Sequence, residues 1–350
     1  MPGTATLNEI AEQFDVWKGL VDDIDLLIKD VELNFQAKEY DDVVFVGAGS
    51  SWHAATAAAS SFRSVTGEMA FSLPSSEVCY FHRNNLKKER KYIFVFMSRS
   101  GRTPETEQAL DVARKNYRAS TVAISCDPAS PLCAECDMAF PVKNCVEESV
   151  TMTKSFTSML MVTHMFAAAL GERYASVNHL EQLPQEGRAA FEMQRRVADR
   201  LLDECPVERT TVLGGGPFLG VARECALKLE EMALARTEAM PPMEFLHGPR
   251  AAADASSLIA LMMSDSGRDA ELKILKAAKR LGAKTLVMSD RKEKDFDDSA
   301  DYAILTGRGM PELYRGMLYA PFMQYLGAKA ALAKGLDPDT PPNISRVTSL

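Results

Sequence analysis

Long apolar runs, basic charge and histidine are all scarce in this sequence, and each shortage removes a class of function. The longest apolar run, MLMVTHMFAAAL at 159–170, falls short of the roughly 20 residues that span a bilayer and carries His164. It reads as a buried helix, and no membrane partner is expected. Forty Lys and Arg against 48 Asp and Glu leave a net charge of −8, the wrong sign for nucleic acid as a partner. The one dense basic run, LKKERK at 86–91, precedes an expected strand and reads as a solvated face. The opening MPGTATLNEIAEQF has no basic n-region and no apolar h-region, so no signal peptide is expected. Seven cysteines, an odd number without export signals, suggest free thiols and a cytoplasmic protein. Cys133 and Cys136 form a CxxC, but no second pair or nearby histidine completes a zinc or redox set. No metal and no cofactor are expected.

What is present is a globular composition, 46% apolar and 25% charged, in a chain longer than one ordinary core. An internal repeat organises it. VVFVGAGSSWHAA (43–55) resembles TTVLGGGPFLGVA (210–222), MSRSGRTPE (97–105) resembles MSDSGRDAE (263–271), and TVAIS (121–125) resembles TLVMS (285–289). Three matches in order at near-constant separation imply two related lobes. Strands are expected at 42–46, 69–73, 92–97, 121–125 and 138–142, then at 209–213, 257–263, 284–289 and 301–305. Short apolar runs alternating with helices predict an α/β fold of two lobes, each a doubly wound parallel sheet flanked by helices in a flavodoxin-like sandwich. The expected organisation is a helical lead-in (1–36), a first lobe (37–174), a helical connector (175–205), a second lobe (206–325) and a Pro-rich tail (326–350).

In such folds ligands bind beyond the carboxyl ends of the strands. Two of these ends in the first lobe are crowded with hydroxyls: Ser50 and Ser51 after the first strand, and Ser98, Ser100 and Thr103 in SRSGRT. Hydroxyls and backbone N–H groups at helix N-termini suit a phosphate monoester, and Arg99 would add charge. Capping is the structural alternative for any one serine, but five hydroxyls on two strand ends favour an anion. The second lobe has Asp265 and Asp269 where the first has Arg99 and Thr103, so only the first is expected to hold phosphate. A dinucleotide site stays the alternative, weakened by Trp52 where a third glycine would sit.

The stretch PFLGVARECALKLEEMALA places Phe218, Ala222, Cys225, Leu229 and Met232 on a buried helical stripe, with Glu224, Lys228 and Glu231 along its edge. Edge charges of this kind are ordinarily solvated pairs, the default for Glu224 and Lys228. Sixteen residues beyond Glu231 stands His247, in a Gly-Pro turn read as neither helix nor strand. A carboxylate and an imidazole are the pair that shifts a proton between carbons and opens a sugar ring.

The segments ECALKLEE and TEAMPPMEFLHGP, with GAGSS, SRSGRTPET, EESVTMTKSFT and GLDPDTPPNISRVT, resemble the SIS (sugar isomerase) family over residues 40 to 350. The likeness is to the isomerase domain of glucosamine-6-phosphate synthase and, more closely, to stand-alone phosphosugar isomerases and deaminases. It implies Glu231 as the carboxylate moving a proton between C1 and C2, His247 as the ring opener reaching a neighbouring subunit's site, and Lys228 near O1. It also implies Ser50, Ser51, Ser98, Ser100 and Thr103 as phosphate ligands, Arg99 beside them, and Val150 as a backbone contact. Arg346 falls where the synthase has its imine-forming lysine; a guanidinium cannot do that chemistry. No glutaminase is expected ahead of MPGTATLNE. The implied protein is a homodimeric isomerase-deaminase for an amino-sugar phosphate. A fructosamine-6-phosphate deglycase and a non-catalytic sugar-phosphate regulator are the alternatives.

Overall fold

The computed structural model describes residues 1–35, 40–171, 174–205, 207–307 and 309–346. The outer ends of the expected lead-in and tail, 36 and 347–350, lie outside these. The chain divides into two compact units. One comprises Glu12–Glu147, Met152–Pro184 and Ile344–Leu350, and is called the first lobe. The other comprises Met1–Ala11, Glu148–Thr151 and Gln185–Asn343, and is called the second lobe.

Helices α1 (Thr4–Asp22) and α2 (Ile24–Phe35) make up the lead-in. The first lobe then runs β1 (Asp42–Gly47), α3 (Ser50–Thr66), β2 (Ala70–Pro74), α4 (Ser75–Asn85), β3 (Lys91–Ser98) and α5 (Pro104–Asn116). It continues through β4 (Arg118–Ser125), α6 (Pro131–Glu135), β5 (Met138–Pro141) and α7 (Lys154–Leu170). All strand pairs are parallel, in the order β2-β1-β3-β4-β5. Val43, Val44, Phe45 and Val46 of β1 are fully buried, each contributing on the order of 2 kcal/mol. Register sets Val46 opposite Phe96, so the turns after β1 and β3 leave the sheet side by side. That is the switch point, where successive connections run to opposite sides and ligands bind. Helix α7 is buried from Lys154 to Ala169, which is why its sequence shows no polar face.

After α8 (Tyr174–Glu204), the second lobe runs β6 (Arg209–Leu213), α9 (Phe218–Ala233), β7 (Arg236–Met240) and β8 (Ser257–Met262). Then come α10 (Arg268–Arg280), β9 (Lys284–Ser289), α11 (Phe296–Ser299), β10 (Tyr302–Leu305) and α12 (Glu312–Ala333). The order β10-β9-β8-β6-β7 is again parallel. Counted within its own lobe, each sheet reads 2-1-3-4-5. The sequence did not announce β7. RTEAM has no apolar run, because an edge strand bonded only to β6 needs none. The stretch before Gly248 is not shapeless either: Pro242–His247 and Pro249–Ala252 are short 3-10 turns on either side of it. Residues 326–333, assigned to the tail by sequence, are the last turns of α12, with Leu326, Ala330 and Ala331 buried.

The Pro-rich tail ties down its own lobe. Asp339 accepts from the Thr6 N–H and hydroxyl at 2.7 Å each, and Asp337 accepts from the Gly3 N–H at 2.9 Å. The Asp339 carbonyl accepts from the Val150 N–H at 3.0 Å, while Glu9 receives the N–H groups of Glu148 and Ser149.

Candidate active site

In the first lobe the hydroxyls flank the β1/β3 switch point, and capping does not explain them. The N-cap of α3 is Gly49, leaving Ser50 and Ser51 as its buried first two residues. Thr103 does hold the N-cap position of α5, yet its hydroxyl makes no cap bond. It meets the Ser98 hydroxyl instead, 3.0 Å away across the turn. The Ser100 hydroxyl oxygen accepts from the Arg102 N–H at 3.2 Å. The turn depends on Gly101, at φ +59°, where a Cβ would lie 2.2 Å from the Ser130 hydroxyl.

Arg99 is held rather than loose. Its guanidinium donates to the Glu147 carboxylate at 2.9 Å and to the Arg346 carbonyl at 3.2 Å. Arg346 in turn donates to the Glu147 backbone carbonyl at 2.5 Å. Glu147 is buried and also accepts from the N–H and hydroxyl of both Thr153 and Ser155 at the start of α7. Arg99, expected to add charge beside the hydroxyls, is thus ion-paired with the buried Glu147. Glu147 itself was not singled out by the sequence. Its partners lie six and eight residues on and 48 residues back, beyond any local pattern.

The corresponding turn of the second lobe is occupied by the protein's own charges. Glu271 accepts the N–H and hydroxyl of Ser264 at 2.7 Å each. Asp265 pairs with Arg268 at 3.0 Å and with Arg315, and Asp290 pairs with Arg268 at 2.7 Å. An internal carboxylate thus takes donors of the kind that a phosphate would need.

Helix α9 carries the acid and the lysine. The expected stripe is buried, but Glu224 and Lys228 are not the solvated pair that edge charges normally form. Both are buried, because α12 lies against α9 and Gly327 brings its backbone close; a Cβ there would sit 3.2 Å from the Lys228 carbonyl. Lys228 Nζ lies 3.2 Å from Glu224 and donates to Glu231 at 2.5 Å. Burial works against its charge, but the two carboxylates outweigh burial and hold Lys228 above the usual lysine pKa. Glu231 is the half-exposed member, with its side chain 20% accessible. His247 is exposed at the end of a 3-10 turn, before Gly248 at φ +142°. Val150 has its N–H committed to the tail through Asp339.

Among the described residues no cluster of three or more His, Cys, Asp or Glu could hold a metal, and no helix is long and apolar enough to cross a membrane. Cys133 and Cys136 are free thiols, and burial pushes Cys136 up to about 12, far from a reactive thiolate.

Fold and site together define a two-lobed α/β protein with a cluster of hydroxyls at one switch point and a lysine-held glutamate on a helix of the other lobe. Residues 38–169 match the SIS domain family. A glutamine–fructose-6-phosphate aminotransferase (isomerizing) of Vibrio parahaemolyticus is 27% identical over 318 residues, 88% of this chain and 52% of that protein. The chain thus spans about half the length of the curated relatives it matches. A glucosamine-6-phosphate deaminase from Thermotoga maritima superposes with a TM-score of 0.79 at 26% identity, covering 99% of this chain and 100% of that one. A tagatose-6-phosphate ketose/aldose isomerase from Escherichia coli reaches 0.88 at 21% identity, covering 99% and 98%, which speaks for the fold alone.

Proposed function

We propose that this chain is an aldose–ketose isomerase and deaminase acting on an amino-sugar phosphate. The observation that carries this reading is the Lys228–Glu231 pair: a protonated, buried lysine holding a half-exposed carboxylate. The full-length likeness to a glucosamine-6-phosphate deaminase supports the substrate class. In this reading Ser50, Ser51, Ser98, Ser100 and Thr103 hold the phosphate, with Arg99 alongside, and Val150 contributes a backbone contact. His247 opens the pyranose by moving a proton at O5. Glu231 then takes the proton from C2 and delivers it to C1, leaving an imine at C2. Water adds to that carbon, the C–N bond breaks and ammonia departs, giving the ketose phosphate. Lys228 stays charged and donates toward O1 instead of attacking carbon. Arg346 cannot form an imine and serves as a tail contact beside Arg99. Anchoring a remote phosphate supplies binding energy for orientation at the reacting carbons. The exposed position of His247 is the basis for placing it in a partner subunit's site, within a homodimer.

The test is ammonia release and ketose phosphate formation across a panel of hexosamine 6-phosphates and fructosamine 6-phosphates. The reading requires turnover of a hexosamine 6-phosphate. Turnover confined to fructosamine 6-phosphates would make the enzyme a deglycase, and phosphosugar binding without turnover would make it a sensor.

A further inference from the structure

Helix α1 has no part in the chemistry described so far, yet one of its side chains holds the segment that carries Val150. Glu9 of α1 is buried, and its carboxylate accepts the N–H groups of Glu148 and Ser149, the latter at 3.1 Å, together with the Ser149 hydroxyl. The next N–H, that of Val150, goes to the Asp339 carbonyl at 3.0 Å. The Asp339 carboxylate is in turn fixed to the start of α1 by the N–H and hydroxyl of Thr6. Three successive N–H groups of one loop are therefore anchored on α1, directly or through Asp339.

Two features set this loop apart from an ordinary connection. Residues Glu148–Thr151 belong to the compact unit that carries α9, although Glu147 and Met152 on either side belong to the first lobe. Glu9, Val150, Lys228 and Glu231 thus lie in one unit. Ser149 and Thr151 are also buried, whereas a loop that merely joins a strand to a helix runs over the surface, where water satisfies its backbone. Burying a carboxylate is costly, and three donors from one loop offset that cost only while the loop stays in place. A charge committed in this way fixes position, which is what orientation at reacting carbons requires.

We propose that Glu9 is a positioning residue for the isomerase chemistry: it fixes the loop through which Val150 meets the sugar, and so sets the reacting carbons against Glu231. This role rests on the reading above, in which Val150 contacts the sugar and Glu231 moves the proton between C1 and C2. The test compares Glu9→Ala, Glu9→Gln and Trp17→Phe in the full chain, by urea titration and by steady-state kinetics on the hexosamine 6-phosphate it turns over. Glu9→Ala is expected to lower kcat roughly thirtyfold or more and to change KM less than about threefold, so that kcat and kcat/KM fall together. Glu9→Gln keeps an amide oxygen able to accept both N–H groups, and should bring kcat back to within about fivefold of the unmodified chain. Trp17→Phe removes the Nε1–H donated to Thr157 at 3.1 Å, two turns further along α1, and is expected to lower stability with kcat unchanged. An unchanged kcat in a folded Glu9→Ala chain would overturn the proposal. So would a loss of kcat in Trp17→Phe as large as in Glu9→Ala, or a raised KM without a fall in kcat. If Glu9→Ala does not fold, Glu9→Asp decides: it keeps the charge but draws the carboxylate back by one methylene, and an unchanged kcat there refutes the positioning role. If the unmodified chain turned over no hexosamine 6-phosphate, the reading of its function would fall and this role with it; with an active unmodified chain, the variants bear on Glu9 alone.

Discussion

A carboxylate that accepts five hydrogen bonds is rigidly held, and Glu147 accepts five, from Thr153, Ser155 and Arg99. Its charge also sits at the N-terminus of α7, where the helix dipole favours it. Glu147→Gln would present amide hydrogens to N–H donors and release Arg99. The expected result is a loss of roughly 3 kcal/mol of stability in denaturant titration, together with a raised KM for the phosphosugar. Thr103→Ala should likewise raise KM more than it lowers kcat, because phosphate contacts persist from ground state to transition state. Rigid scenery and chemistry separate cleanly at Glu231: Glu231→Gln should abolish turnover while leaving phosphosugar binding nearly intact. The hydroxyl-rich strand ends and the buried stripe of α9 were legible in the sequence because residue type and local pattern carried them. Glu147 and the burial of Glu224 were not, since both depend on elements far off in the chain.

Helix α7 is legible as a buried helix from its composition alone, and it carries a titratable group that composition only hints at. Burial lowers the His164 imidazole to about 3, so the folded protein keeps the ring neutral. The unfolded chain takes up a proton below about 6.5, and below that pH the equilibrium shifts toward unfolding. Stability is thus fully present above pH 6.5 and falls by about 1.4 kcal/mol per pH unit from there toward pH 3. His164→Leu should flatten that slope in urea titrations taken across the window. An unchanged slope would show that another group governs acid sensitivity. The turn after β3 offers a second check at this scale. Gly101→Ala meets both a left-handed backbone and the Ser130 hydroxyl, so it should cost about 1–3 kcal/mol and raise KM through the displaced Ser98–Thr103 turn. Element reading failed where tertiary context replaced pattern, at β7, which needs no apolar run, and in the 3-10 turns around Gly248.

At the scale of the whole chain, two sheets with the same strand order have switch points of opposite character. One is ringed by hydroxyls; the other is filled by Glu271 and the Arg268, Arg315, Asp265 and Asp290 network. Phosphate is accordingly expected in the first lobe only, and a phosphosugar bound beside Asp265 would contradict that assignment. If His247 serves a partner's site, mixing Glu231→Gln chains with His247→Ala chains should restore part of the activity lost in each. The most direct measurement follows glucosamine 6-phosphate in deuterated water with the unmodified chain and with Glu231→Gln. The account predicts ammonia release with deuterium entering at C1 of the product for the unmodified chain, and neither for the variant. Equal ammonia release by both would remove Glu231 from the chemistry and contradict the account.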